Sequence, residues 1–309
     1  MHISPVNVNY HPSYQNISYK NKTVQSPVET QKEDKKNSKG AKIGIAVGVG
    51  AALVAIGAVL VSRGKALQNK KLLSQIPADL RTRFEKLKGL SGEEFTQKAY
   101  AEMVEHMGLK GIAPEKIVIK GADSLNGVQG GYSCLKNTIE YTEGFSKMSQ
   151  KAQIGLLSHE LHHCRQLSNM LRTEGITVEK YVDATAENLI KNMQNDISNF
   201  SFRMSYKRAQ EAGKLDEFLA KVKKQAVDTF TEDVNKNYSH VLKMPKIKAD
   251  SPEGKKAFEY LKAMREYEGL DSIFGFASEA YKNNLLEVEA YDLQHKIEDL
   301  FEKFMQATK

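Results

Sequence analysis

Ile154-Gly155-Leu156-Leu157-Ser158-His159-Glu160-Leu161-His162-His163-Cys164-Arg165-Gln166-Leu167-Ser168-Asn169-Met170-Leu171 is the stretch on which the reading of this chain turns. It is apolar at helical spacing and carries His-Glu-x-x-His at its centre. Residues four apart on an α-helix lie one turn above each other, so His159 and His163 project from one face. Two imidazoles so placed can hold a zinc ion, and a carboxylate beside them, Glu160, can take a proton from water without itself binding the metal. Zinc lowers the pKa of bound water to about 7, and a carboxylate base completes the chemistry needed to attack a peptide carbonyl. Leu157, Leu161, Cys164, Ser168 and Leu171 form a second stripe, which is expected to pack on a core while the histidine face lines a cleft. Three of the chain's 8 histidines fall in these five positions.

Working outward, the chain of 309 residues is uneven. Residues 1–42 are rich in Asn, Ser, Tyr, Pro and Lys, show no sustained apolar period, and read as a mobile polar tail. From Ile43 to Val61 there follows an uncharged run of Gly, Ala, Val, Ile and Leu. As a helix it would extend about 28 Å, enough to cross a bilayer core. It is expected to be a single transmembrane helix. Five lysines (32, 35, 36, 39 and 42) precede it; Arg63, Lys65, Lys70 and Lys71 follow. By a margin of one charge, the positive-inside rule puts the tail in the cytoplasm and the remainder outside.

Residues 65–309 are expected to form one α+β domain, mainly α, with a small sheet. Ser91 and Glu94 have the spacing of a capping box, opening a helix that Gly108 stops. Lys116–Lys120 and Thr138–Thr142 read as strands, with Gly-rich turns between them. Beyond Thr173 the pattern is helical, in segments near 177–212, 214–243, 252–268 and 285–307, so that about 177–283 reads as a helical insertion. Two cysteines, Cys134 and Cys164, make no disulfide framework. The net charge of +7 comes without any nucleic-acid motif, and suits an anionic membrane surface better.

Catalytic zinc sites usually have three protein ligands. The residues just after His163, Cys-Arg-Gln-Leu-Ser, supply no third, so it is sought on a later helix. The stretch Asn284-Leu-Leu-Glu-Val-Glu-Ala-Tyr-Asp292 offers Glu287 and Glu289, on opposite sides of an apolar stripe. Asn284 and Glu287 could instead form a helix cap.

Over Lys116–Gln166 and Leu285–Gln294 the chain resembles the gluzincin metallopeptidases, including the HtpX and ImmA/IrrE types. There a glutamate followed three residues later by Ala is the third ligand, as Glu287 is followed by Ala290. The chain departs at Tyr291, where the HtpX type has an aspartate. The resemblance implies a zincin-like fold, zinc held by His159, His163 and Glu287, Glu160 as general base, and a protein or peptide substrate. Tyr281 and Tyr291 are candidates, by residue type alone, for stabilising an oxyanion. The other class in view is a non-catalytic, membrane-tethered helical interaction protein whose zinc site is degenerate or structural. Such a site should be closed by a fourth protein ligand.

Overall fold

The computed structural model describes residues 66–120, 130–195, 200–267 and 279–308. The apolar run 43–61 and the polar tail lie outside these. No helix among the described residues is long and apolar enough to cross a membrane.

The chain is mainly helical with one small sheet. Helices α1 (Ala78–Glu85) and α2 (Gly92–His106) lead into strands β1 (Ile117–Lys120), β2 (Gly130–Ser133) and β3 (Thr138–Thr142). Gly108, at φ +66°, ends α2 as the sequence suggests. The Ser91 capping box does not form, because no side-chain cap reaches the first turn. β3 is the central strand, parallel to β1 and antiparallel to β2. The Gly-rich segment therefore contains an edge strand where turns were expected. Glycine disfavours strands locally, but pairing of Tyr132 opposite Ile139 overrides that preference.

Ser149 caps α3 (Gln150–Arg172), accepting from the Ala152 amide at 3.2 Å. α3 is buried on nearly every side, from Ile154 to Leu171. Four further helices follow: α4 (Val178–Asn195), α5 (Phe200–Glu211), α6 (Leu215–Asn237) and the short α7 (Ser239–Leu242). The chain leaves and rejoins the core at adjacent points. Ile247 donates its amide to the carbonyl of Arg172 and accepts from the amide of Glu174, both at 2.9 Å. α8 (Pro252–Arg265) is capped by Ser251, with Pro252 in its first turn. The short α9 (Glu279–Lys282) and the long α10 (Leu285–Ala307) complete the chain.

α10 runs antiparallel to α3. The order of partners shows it: Lys151 meets Glu302, Gly155 meets Glu298, His159 meets Tyr291 and His163 meets Glu287. Phe301 and Phe304 at the far end of α10 pack on Phe84 of α1, and Phe301 also on Phe95 of α2. One consequence overturns an expectation. The histidine face of α3 does not line an open cleft, because α10 covers it.

Candidate metal centre

His159 and His163 stand one turn apart on α3, and Glu287 enters from the first turn of α10. The two Nε2 atoms are 3.0 Å apart. Glu287 Oε2 lies 3.4 Å from Nε2 of His159, and its Oε1 3.5 Å from Nε2 of His163. Four donors arranged tetrahedrally at zinc bond lengths are separated from each other by about 3.3 Å. Three of the four corners are thus in place, and the donor set suits the ion. Among the described residues these three form the one cluster of His, Cys, Asp or Glu fit to hold a metal. Among the described residues no fourth such ligand joins them. The exposures of His159, His163 and Glu287 are 0, 3 and 0 %.

Partners hold Glu287 and His163. Glu287 Oε1 accepts from the Tyr267 hydroxyl at 2.9 Å and Oε2 from the Tyr281 hydroxyl at 2.8 Å. Nδ1 of His163 meets Gln166 Oε1 at 2.9 Å. Nδ1 of His159 is buried without a hydrogen bond, although the Gln294 side chain is close enough to favour the protonated ring. Asn284 caps α10 through the Leu286 amide at 3.0 Å. The cap is Asn284 alone, and Glu287 is left to face the histidines.

The charges interlock. Burial works against the Glu287 carboxylate, but His163, His159 and the tyrosine donor prevail and hold its pKa down to about 2. Burial pushes His163 down to about 4. His159 is also penalised by burial, yet Glu287 and Glu160 outweigh it and raise its pKa. Burial lifts the neighbouring carboxyl, Glu160, to about 7, while the Tyr132 amide donates to its Oε2 at 2.8 Å. Glu160 is 1 % exposed.

The other sequence candidates fall elsewhere. Glu289 points to the opposite side of α10, where it takes the Tyr260 hydroxyl at 2.6 Å and Lys256 Nζ at 2.8 Å and lies 3.5 Å from His162 Nε2. It ties α8 to α10 and α3. Tyr281, a candidate for the oxyanion, has its hydroxyl engaged with Glu287, because α9 brings it in behind the carboxylate. Tyr291 sets its ring edge-on to His159, centroids 4.8 Å apart. Cys164 is buried away from the cluster.

Sequence reasoning passed over Tyr267, Gln166 and the Tyr132 amide. Gln166 was within reach, since it sits three residues beyond His163 on the same helix. Tyr267 and Tyr132 approach from other elements, and nothing in their local sequence marks them. Compared with known protein families, curated proteins and solved structures, the chain matches none.

Proposed function

We propose that this chain is a zinc-dependent metallopeptidase of zincin-like architecture, held at a membrane by residues 43–61, with the peptidase part on the extracytoplasmic side. The observation that carries the reading is the convergence of His159, His163 and Glu287 at separations matching a zinc coordination sphere, with Glu160 beside them. Zinc held there would polarise a substrate carbonyl and acidify water. The protein's own part falls to Glu160. A carboxylate with a pKa near neutrality can take a proton from the attacking water and pass it to the leaving amine nitrogen. The Tyr132 amide fixes that carboxylate's direction. Tyr132 lies on β2, an edge strand of the sheet among the described residues, so an extended peptide laid along this edge would pass close to Glu160.

One observation favours a second reading, a membrane-tethered protein with a structural metal. All three donors and Glu160 are buried. A structural site would keep its metal and tolerate loss of Glu160 with no chemical consequence. The two readings separate on peptide hydrolysis by wild type and Glu160→Gln at equal zinc content. Hydrolysis abolished by Glu160→Gln supports the peptidase, and none by either protein supports the structural site. Resistance to an alkaline carbonate wash tests the anchor, and protease shielding the orientation.

A further inference from the structure

Gln166 is 1 % exposed and touches both halves of the metal centre. Its Nε2 donates to the carbonyl of Leu286 at 3.1 Å, and its Oε1 lies 2.9 Å from His163 Nδ1. A backbone carbonyl only accepts, so the amide nitrogen must face Leu286 and the amide oxygen must face His163. An amide oxygen in turn only accepts, so His163 must carry its proton on Nδ1. That leaves the lone pair of a neutral His163 on Nε2, the atom that faces His159 and Glu287. The same amide grips the residue just before Glu287 and so fixes the height of the carboxylate along α3.

We infer that Gln166 is the positioning residue of this centre: it selects the metal-binding tautomer of His163 and registers Glu287 against it. The inference rests on the reading that the site holds a metal. Partners of this kind typically change metal affinity about 10- to 100-fold when removed. A merely structural bridge between α3 and α10 would influence melting, but would not dictate which nitrogen of His163 is protonated.

The test uses the full-length chain with ¹⁵N-labelled histidine, stripped of metal at pH 8, the His163 signals being assigned against His163→Gln. Wild type is expected to show the Nδ1–H form. Gln166→Met, similar in volume but without the amide, should give a mixture of tautomers and weaken zinc binding about 10- to 100-fold in competition with a chelator. Gln166→Glu keeps an acceptor for Nδ1–H but loses the donor to the Leu286 carbonyl, so it should restore the tautomer while leaving part of the affinity lost. Circular dichroism checks that each variant folds. An Nε2–H tautomer in wild type overturns the inference. So does zinc binding by Gln166→Met within twofold of wild type. If wild type binds no zinc, the metal reading falls and takes this inference with it; the tautomer, measured without metal, tells the two failures apart.

Discussion

Gly155 of α3 lies so close beneath Glu298 of α10 that a Cβ placed there would come within 2.5 Å of the glutamate's Cγ. The contact occurs one turn before His159, and Glu298 also accepts from Gln294 at 2.9 Å. Gly155→Ala should therefore destabilise by about 1–3 kcal/mol through overpacking, despite alanine's better helix propensity. In a Glu298→Ala background the clash is gone, and the same substitution should be neutral or stabilising by up to about 1 kcal/mol. Denaturation midpoints of the four proteins in the cycle test this. Equal effects in both backgrounds would show that the close approach does not matter.

Wild-type chain should bind about one zinc, and His159→Ala, His163→Ala and Glu287→Ala should each lose it. Glu289→Ala should keep the metal. It loses the Tyr260 and Lys256 contacts, which are partly open to water, at a cost of about 1 kcal/mol. Metal analysis beside thermal melts reads both. Zinc lost from Glu289→Ala but kept by Glu287→Ala would move the ligand assignment.

Glu160→Gln should retain zinc and fold while abolishing peptide hydrolysis. It also has a pH signature in the metal-free protein. The folded pKa of Glu160 is raised to about 7, so the folded state holds this proton more tightly than the unfolded chain does. Between the ordinary glutamate value and about 7, its contribution to stability falls as pH rises. His163, pushed down to about 4, works in the opposite direction over much of that range and offsets part of it in wild type. The difference is the readout: Glu160→Gln should gain on wild type as pH rises through this window. A pH-independent difference would mean that Glu160 titrates normally.

Glu102, nearly buried between α1 and α2, takes Arg83 at 3.1 Å, Lys86 at 3.0 Å and Lys98 at 3.3 Å. Burial alone would raise its pKa, but Lys86 and Lys98 lower it overall. Its stabilisation is thus present above the ordinary carboxylate range and lost as pH falls through the lowered folded value. Glu102→Gln should cost about 1–3 kcal/mol at neutral pH and progressively less in acid. Urea titrations at two pH values check it, and an equal cost at both would remove the charge from the explanation.

What the sequence makes legible here is whatever depends on residues within one helical turn or one strand. His159 and His163 share a face because of helical spacing alone, and β3 occupies the residues its alternation marks. β2 was illegible because Gly130 and Gly131 have no local preference for a strand; only pairing with β3 makes them one. The closed histidine face was illegible for a related reason. Amphipathic spacing shows which side of α3 is apolar, but not that α10 brings matching polar groups to bury the other. Glu287 and Glu289 could not be separated by period, and the tyrosines that hold the former come from separate elements.

The pairing of Ile247 with Arg172 and Glu174 bears on how this chain can change in length. Helices α4 to α7 depart and return side by side, so their ends are fixed whatever lies between. Loop-closure entropy grows only logarithmically, about 0.6 kcal/mol for each doubling. Lengthening or trimming the exposed turn at Ala212–Gly213, between α5 and α6, should therefore leave the histidines where they are. Tyr238 limits the freedom: its hydroxyl donates to the Cys134 carbonyl and meets that of Tyr132, so the return path must still bring it back. The excursion is elastic in the middle and pinned at its homecoming.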